Sequence, residues 1–259
     1  MKIAIIGAGA FGTALGGILA EKGYDIDYYD TRINAERVLD VVNGAKFIVL
    51  CVPSASAPHV LPFLPKNIPL IVATKGILTD RVFRDFKDIM VLSGPGFADD
   101  IKQGKKTVLT ATDDRIIELF ETSYLSFDYA NDVNGVLMCG ALKNVYAIEA
   151  GRRSLKRDSE AWNSYIENVC KEMKSILVAN NADSRTVDLV CGVGDLKLTC
   201  GYPSRNYEYG DKLRSDPDYL PEKTVEGVST LKRISRHEIA IPTECEIMNK
   251  IVREVKHGS

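Results

Sequence analysis

The chain has 259 residues, which is enough for one large domain or for two smaller domains, each with its own hydrophobic core. Hydrophobic residues make up 45% of the chain and charged residues 26%, the balance of a soluble globular protein. The formal net charge of −2 gives no bulk attraction to nucleic acid or to an anionic membrane surface, so neither partner is predicted.

The cysteines and histidines show no pattern of metal or redox chemistry. Six cysteines, at positions 51, 139, 170, 191, 200 and 245, lie mostly in apolar stretches without C-x-x-C or Cys/His ligand spacing. They predict reduced, buried thiols and a cytoplasmic protein. The histidines His59, His237 and His257 are far apart, so no metal site is predicted. The sequence has neither a cleavable signal pattern nor an apolar stretch long enough to span a bilayer, so membrane insertion is not expected.

The amino-terminal segment reads as a strand, a glycine turn and a helix. A β-branched run at residues 2–6 leads into the G-x-G-x-x-G sequence Gly7-Ala8-Gly9-Ala10-Phe11-Gly12. Such a turn lets a pyrophosphate approach the backbone at the amino end of the helix. The next strand, residues 24–29, ends at Asp30, where an acid suits the ribose 2′-hydroxyl of NAD, whereas Arg32 suits the 2′-phosphate of NADP. NAD is the expected cofactor, and NADP stays open.

Five further apolar runs continue the alternation of strand and helix. Strands are predicted at residues 46–52, 69–74, 89–92, 107–111 and 127–130, with a short helix at residues 35–43. The first three of these strands are followed by loops that carry Pro53, Lys75, and the pair Gly94 and Ala98. Open α/β sheets bind ligands at the carboxyl ends of their strands. We therefore predict a Rossmann-like, mostly parallel sheet domain over residues 1–131.

The pattern becomes helical from Asn134 onward. Long amphipathic segments lie at residues 159–180 and 223–236, and residues 250–259 read as a frayed helix end. Alternating strands and helices followed by helices alone are typical of two domains of different class. An all-α C-terminal domain is therefore predicted over residues 132–259.

Residues 135–151, GVLMCGALKNVYAIEAG, predict a buried helix because apolar residues recur at helical spacing and small residues fill much of the opposite side. Lys143 stands within this helix. A buried ammonium group loses hydration, which only an anion, hydrogen bonds or a ligand replaces. Two interpretations stay open: Lys143 is a functional group, or its stem crosses the apolar face and its ammonium reaches solvent.

A second informative segment, residues 192–206, combines glycines, an acid, hydroxyls, a guanidinium and an amide. Asp195 is suited to supply the anion that Lys143 requires, and Arg205 is suited to bind a phosphate or a carboxylate in bidentate fashion. In the alternative interpretation, Asp195 and Ser204 cap helices and Arg205 forms a surface ion pair. The segment alone does not separate these two interpretations.

Taken together, these motifs resemble the NAD(P)-dependent glycerol-3-phosphate dehydrogenase family. The matching segments run in the family's order from residue 7 to residue 228: GAGAFGTAL, VPS, ATKGI, SGPGFA, GALKNVYAIEAG, GVGDLKLTC, SRN and VEGV. The glycine turn is common to many dinucleotide-binding proteins, whereas GALKN followed by GDL-x-x-TC and SRN is specific to this family. The resemblance implies hydride exchange between NAD(P)H and dihydroxyacetone phosphate, with sn-glycerol 3-phosphate as the alcohol.

The resemblance also implies the site residues and the biological setting. Lys143 would be the general acid/base, and the other catalytic residues would be Lys75, Asn144, Asp195 and Thr199. The substrate would contact Lys75, Gly94, Lys143, Asp195, Ser204, Arg205 and Asn206, with Arg205 and Asn206 at its phosphate. The cofactor would contact Gly7, Gly9, Ala10, Phe11, Gly12, Asp30, Pro53, Lys75, Ala98, Arg205 and Glu226. A cytoplasmic homodimer acting in glycerol 3-phosphate metabolism and phospholipid biosynthesis would fit the family.

The chain departs from the family pattern in three places. The segment between Asp30 and Pro53 is shorter than usual, so a shortened Rossmann domain with a reduced adenine side is expected. Gly96 replaces a small hydroxyl residue, which predicts the loss of one hydrogen bond to substrate. The segment EAWNSYIENVC, residues 160–170, lacks an arginine expected near the domain interface. These departures keep two alternatives open: a related β-hydroxyacid or ketopantoate-type dehydrogenase, and a non-catalytic dinucleotide-binding relative.

Overall fold

Seven strands form one sheet in the computed structural model, which describes residues 1–34, 38–221 and 224–254. The strands are β1 (Lys2–Ile6), β2 (Asp25–Tyr29), β3 (Phe47–Leu50), β4 (Leu70–Val72), β5 (Ile89–Ser93), β6 (Thr107–Ala111) and β7 (Leu125–Tyr129). Their order across the sheet is β2-β1-β3-β4-β5-β6-β7, and each neighbouring pair is parallel except β5 and β6. The predicted mostly parallel sheet is confirmed.

Twelve α-helices accompany the sheet within the described residues. They are α1 (Ala10–Glu21), α2 (Thr31–Asn34), α3 (Val38–Val42), α4 (Ala57–Val60), α5 (Ala98–Lys102), α6 (Asp114–Phe120), α7 (Val133–Arg152), α8 (Glu160–Ala179), α9 (Asp195–Thr199), α10 (Arg205–Ser215), α11 (Glu226–Ser235) and α12 (Glu246–Glu254). Among these described helices, none is both long enough and apolar enough to cross a bilayer. After α7 the described chain forms helices and turns without a strand, so the predicted change from mixed to helical structure is confirmed.

Some predicted boundaries differ from the observed ones. Strand β7 begins at Leu125, ahead of the predicted start at residue 127, because all of β7 pairs with β6, from Leu125 opposite Thr107 to Tyr129 opposite Ala111. The helix predicted at residues 35–43 is represented by α3, and its residues 35–37 lie outside the described part of the chain. The helix predicted at residues 223–236 is found as α11, and its residue 223 lies outside the described part of the chain. Residues 255–259 of the predicted tail also lie outside the described part.

The central strands are buried on both faces. Along β1 and β3, Ile3 and Ile5 belong with Val49 to a core cluster that includes Leu15 of α1. The residues that alternate with them, such as Ile6, are also fully buried. Burial on both faces favours continuous runs of branched apolar residues, which is why these strands could be predicted from sequence.

The chain divides into two compact units. The first contains Met1–Thr74 and Asp80–Val133, and the second contains Lys75–Thr79 and the chain from Asn134 onward. The domain boundary that we propose between residues 131 and 132 lies close to this change of unit. The short segment Lys75–Thr79, which follows β4, groups with the helical unit although it is far away in sequence.

Helix α7 is the centre of the helical unit. Every residue from Gly135 to Gly151 is buried, as the two-sided apolar pattern predicts. Helices α10 and α11 approach the α7 backbone through glycines: a Cβ at Gly210 would overlap the Ile148 carbonyl oxygen, and a Cβ at Gly227 would lie 2.6 Å from the Asn144 carbonyl oxygen. Such close approach requires residues without a side chain, so these glycines fix where α7 lies.

A buried carboxylate ties α7 and α8 to the start of α12. Glu172 of α8 accepts a hydrogen bond from the Tyr146 hydroxyl (2.9 Å) and from the backbone N–H groups of Ile247 (2.6 Å) and Met248 (3.0 Å). Glu172 therefore satisfies amino-terminal N–H groups of α12 from another helix. Tyr165 of α8 adds a hydrogen bond from its hydroxyl to the Tyr146 carbonyl oxygen, at 2.7 Å.

Candidate active site

Lys143 projects from the middle of α7 into a site with its own counter-ion. Its side chain is 3% exposed, and its ammonium forms an ion pair with the carboxylate of Asp195, which is 1% exposed. The alternative interpretation, in which the Lys143 ammonium reaches solvent, is therefore wrong. A second ammonium, Lys75 Nζ, lies 3.6 Å from Asp195 Oδ2 and has a side chain that is 32% exposed. The helical unit thus brings two predicted catalytic lysines to the carboxylate of a third predicted catalytic residue, Asp195.

The pKa of Lys143 is set by opposing influences. Burial lowers it most, because removing water penalises the charged form; Asp195 raises it, and Lys75 lowers it further. The result is a pKa of about 8, below the usual lysine range. A lysine with this pKa exchanges a proton close to neutral pH, as general acid/base catalysis requires.

Asp195 is placed by an irregular segment. Val190–Gly194 form a π turn, and α9 begins directly after it at Asp195. A π turn adds a residue to a helical turn and so redirects the side chains that follow, and such turns are frequent at functional sites. The Thr199 hydroxyl donates to the Asp195 carbonyl oxygen at 2.7 Å and lies 3.5 Å from Asp195 Oδ1. Thr199 therefore stabilises the helix turn that carries the carboxylate.

Two residues that the sequence analysis did not identify hold the end of α9. The indole N–H of Trp162 donates to the Cys200 carbonyl oxygen at 2.7 Å, and Arg157 Nη2 donates to the Leu198 carbonyl oxygen at 3.0 Å. Both satisfy carbonyl groups at a helix C-terminus, where a cation is also favourable. Their contacts join residues distant in the chain, so no local sequence pattern could have identified them.

Asn144 and Asn206 form a hydrogen-bonded bridge between helices. Asn206 Nδ2 donates to Asn144 Oδ1 at 2.9 Å, Asn144 Nδ2 donates to the Gly140 carbonyl oxygen at 3.1 Å, and the Gly227 N–H donates to Asn206 Oδ1 at 2.9 Å. Both asparagine side chains are buried. The bridge links α7 beside Lys143 to α10 and to the first turn of α11. The catalytic role expected for Asn144 and the substrate contact expected for Asn206 stay predictions.

The remaining predicted residues of the helical unit lie at helix starts. Arg205 is the first residue of α10 and is exposed, and Ser204 precedes it at the N-cap position. In the described contacts the Ser204 side chain makes no capping hydrogen bond, so the capping interpretation is wrong for Ser204. Glu226 is the first residue of α11. Asp195 likewise acts as an ion-pair partner rather than as a helix cap.

The glycine turn of the first unit has the shape that a dinucleotide requires. Gly7 has φ +109°, and a Cβ there would lie 2.8 Å from the Cys51 carbonyl carbon, while a Cβ at Gly12 would overlap the Gly7 carbonyl oxygen. Gly9, in contrast, has no atom within 4 Å of its Cβ position, so the backbone is open just before α1 begins at Ala10. The residues therefore fit a pyrophosphate at the helix amino end.

Asp30 supports this turn from the end of β2. Its Oδ2 accepts a hydrogen bond from the Ala8 N–H at 3.1 Å, and the Arg32 side chain forms an ion pair with it at 2.7 Å. The Arg32 hydrogen bond is the main reason why the pKa of Asp30 falls to about 2. Asp30 is thus a fixed negative charge next to the glycine turn.

The other predicted cofactor residues of this unit, and the predicted substrate residue Gly94, lie after strands or at helix starts. Phe11 is in the first turn of α1, Pro53 follows β3, Gly94 follows β5, and Ala98 begins α5. A Cβ at Gly96 would meet the side chains of Leu109, Ile101 and Thr107 at 3.0 to 3.6 Å. Apolar packing therefore accounts for the glycine at this position. Across the described ranges, no cluster of three or more Cys, His, Asp or Glu side chains is arranged to hold a metal ion.

Comparison with known proteins gives one consistent family. Residues 132–258 match the family model described as NAD-dependent glycerol-3-phosphate dehydrogenase C-terminus. A glycerol-3-phosphate dehydrogenase [NAD(P)+] from Neorickettsia sennetsu is 30% identical over 286 aligned positions, covering 93% of this chain and 84% of that protein. A second such enzyme, from Leptospira biflexa, is 32% identical and covers 82% of this chain and 79% of that protein.

A solved structure has the same fold. The glycerol-3-phosphate dehydrogenase of Coxiella burnetii superposes with a TM-score of 0.79 at 23% identity, covering 98% of this chain and 94% of that chain. At this identity the structural match shows the fold alone, whereas the two sequence relatives show the family.

Proposed function

The chain belongs to the NAD-dependent glycerol-3-phosphate dehydrogenase family, and we propose that it exchanges a hydride between NAD(P)H and dihydroxyacetone phosphate. The products in the reducing direction are sn-glycerol 3-phosphate and NAD(P)+, with one proton consumed. The observation that carries this proposal is the buried Lys143 paired with Asp195, because a lysine with a pKa of about 8 suits reversible proton transfer to an alkoxide.

When bound, the nicotinamide supplies or accepts the hydride at C2 of the substrate. The ketone oxygen gains negative charge as the ketone is reduced, and the ammonium of Lys143 stabilises this charge and donates a proton to it. In the oxidising direction neutral Lys143 removes the hydroxyl proton. Asp195 holds the ammonium in place through the ion pair, and Lys75 adds a second positive charge on the same carboxylate.

Arg205 is the proposed phosphate ligand. It is exposed at the first turn of α10, an 11-residue helix whose amino-terminal N–H groups also favour an anion. A guanidinium binds phosphate in bidentate fashion, which fixes orientation as well as charge. Asn144 and Asn206 would support this end of the substrate through the bridge that joins α7 and α10.

The cofactor contacts proposed from the family resemblance are Gly7, Gly9, Ala10, Phe11, Gly12, Asp30, Pro53, Lys75, Ala98, Arg205 and Glu226. The open Gly9 backbone supports this assignment most directly. Gly94 and Ser204 are proposed to line the substrate site. NAD and NADP are both consistent with the family.

The alternatives are less well supported. A non-catalytic dinucleotide-binding relative would have no need for a lysine and a carboxylate that are both almost fully buried. A ketopantoate-type enzyme would act on a different substrate, whereas the two sequence relatives are glycerol-3-phosphate dehydrogenases.

We also propose a cytoplasmic homodimer that acts in glycerol 3-phosphate metabolism, including supply to phospholipid biosynthesis. This rests on the family resemblance and on the six cysteines, none of which forms a disulfide and four of which are buried. Light scattering of the purified chain measures the dimer directly, and a monomer mass at micromolar concentration would refute it.

The reaction is tested by the loss of NADH or NADPH absorbance when dihydroxyacetone phosphate is added. The same assay is run with a panel of 2-keto acids for comparison. Lys143→Met should reduce turnover on the order of a hundredfold or more. Lys171→Ala, on the exposed face of α8, is the matched control and should leave turnover unchanged. Equal activity of Lys143→Met and the native chain would refute the lysine's role, and activity only with a 2-keto acid would refute the substrate.

A further inference from the structure

Lys75 stands at the start of a short segment that packs as part of the helical unit. Residues Lys75–Thr79 group with that unit, and the four residues that follow Lys75 are buried. Gly76 has φ +90°, a backbone conformation that favours glycine. The ammonium of Lys75 lies 3.6 Å from Asp195 Oδ2. The position of this segment therefore decides how close Lys75 lies to Asp195.

Arg233, in the last turn of α11, holds this segment by its backbone. Arg233 Nη1 donates to the Gly76 carbonyl oxygen at 3.3 Å, and Arg233 Nε donates to Glu238 Oε2 at 2.8 Å. The Arg233 side chain is 19% exposed, so most of it is packed against protein. A guanidinium presents its donors in a rigid plane, so an acceptor on one nitrogen fixes the direction of the others. Glu238 therefore orients Arg233 toward Gly76.

The opposite end of α11 is fixed beside Lys143. A Cβ at Gly227 would lie 2.6 Å from the Asn144 carbonyl oxygen, and the Gly227 N–H donates to Asn206 Oδ1 at 2.9 Å. Leu231, between the two ends, is fully buried. A helix of 10 residues is a stiff element about 15 Å long. Helix α11 therefore sets the distance between α7 and the segment that follows β4.

The charge of Lys75 acts on the proton chemistry of Lys143. Burial lowers the pKa of Lys143 most, Asp195 raises it, and Lys75 lowers it further. The Cys200 thiol also interacts with the Lys143 charge, but burial raises the pKa of Cys200 far above its usual range, so this thiol stays neutral. Asp195 is carried by a helix, whereas Lys75 is carried by a non-helical segment. The segment that carries Lys75 therefore needs a support of its own.

Resting on the proposed function, we propose that Arg233 is a positioning residue that holds Lys75 beside Lys143. Arg233 acts through its hydrogen bond to Gly76 and not through its own charge, because the Glu238 carboxylate compensates that charge. Without the hydrogen bond, the segment relaxes and the ammonium of Lys75 moves away from Lys143.

The pH dependence of kcat/KM for oxidation of sn-glycerol 3-phosphate tests this role. Arg233→Met keeps an apolar stem and removes the donors, so the midpoint assigned to Lys143 should move to higher pH by roughly half a unit to one unit. The value of kcat should fall on the order of tenfold, because a small displacement of a catalytic group slows turnover. Arg236→Met, an exposed residue at the end of the same helix, is the matched control and should change neither quantity.

A double variant separates positioning from other effects of the substitution. If Arg233 acts through Lys75, the double variant of Lys75→Ala and Arg233→Met should have the same midpoint as Lys75→Ala alone. A direct charge effect of Arg233 on Lys143 would instead add a further shift, and this result would overturn the proposal. Gly76→Ala strains the same segment without changing α11, so it should move the midpoint in the same direction as Arg233→Met.

Hydrogen exchange of the free protein tests the contact without substrate. Amides of residues 75–79 should exchange on the order of tenfold faster in Arg233→Met than in the native chain, while residues 135–151 of α7 stay protected. Unchanged exchange at residues 75–79, or loss of protection throughout α7, would contradict a positioning role confined to this segment. Faster exchange at residues 75–79, in a chain that does not reduce dihydroxyacetone phosphate, would support the role of Arg233 and refute the proposed function.

Discussion

Replacing Asp195 by asparagine tests how the site sets its proton chemistry. The substitution keeps the shape of the side chain and removes the negative charge that faces Lys143 and Lys75. Both Asp195 and Lys143 are almost fully buried, so little solvent screens the attraction between their charges, and its loss should have a large effect on Lys143. The direction of the effect follows from the charges: without its anion, the protonated form of Lys143 becomes less favourable.

The size of the effect can be worked from the ion pair. Asp195 raises the pKa of Lys143, while burial and Lys75 lower it, and the net value is about 8. A hydrogen bond to a charged group contributes about 1.5 to 3 kcal/mol, and about 1.4 kcal/mol corresponds to one pKa unit. Losing the charge should therefore lower the pKa of Lys143 by roughly one to two further units.

The assay is the pH dependence of kcat/KM for oxidation of sn-glycerol 3-phosphate, from about pH 6 to about pH 10, which reports groups of the free enzyme. Neutral Lys143 is the base in this direction, so the rate should rise as pH passes through its pKa. The native midpoint should lie at about pH 8. In Asp195→Asn the midpoint should move to lower pH, and the plateau should fall because the lysine is less well held.

Two variants separate this effect from general damage. Asp188→Asn removes an exposed carboxylate that pairs with Lys174 at 2.8 Å, and its profile should match the native one. Lys75→Ala removes a charge that lowers the pKa of Lys143, so its midpoint should move to higher pH. An Asp195→Asn midpoint at or above the native value would refute the assignment of the titrating group to Lys143.

Other perturbations test the phosphate contact and the packing around α7. Arg205→Ala should reduce kcat/KM for dihydroxyacetone phosphate on the order of tenfold to a hundredfold and leave the slow reduction of dihydroxyacetone unchanged. Arg214→Ala, on the same helix, is the control. Equal losses of kcat/KM with both substrates in Arg205→Ala would contradict a phosphate contact. Gly210→Ala should lower the free energy of unfolding by about 1 to 3 kcal/mol in urea, because its Cβ overlaps the Ile148 carbonyl oxygen. Gly17→Ala, with nothing within 4 Å, should instead stabilise α1 by up to about 1 kcal/mol, and a stable Gly210→Ala would contradict the close helix contact.

The sequence determined the local structure and the identity of the chemistry. The β-branched run before the glycine turn predicted β1, since strands buried on both faces are apolar throughout, and β2 was predicted within one residue. The two-sided apolar pattern around Lys143 predicted that α7 is buried, because an α-helix has few other ways to hide small and apolar residues on every side. Motif order along the chain identified the family, which the sequence relatives confirm.

Only the tertiary structure decided which side chains meet. Lys75 and Asp195 are far apart in the chain and belong to segments with no shared pattern, yet they lie 3.6 Å apart. The bridge from Asn206 to Asn144 and the contact of Trp162 with Cys200 are of the same kind. Periodicity reports which face of an element is buried and not which element covers it. The distances that set the pKa of Lys143 therefore depend on how the helices pack, and packing is a property of the whole helical unit.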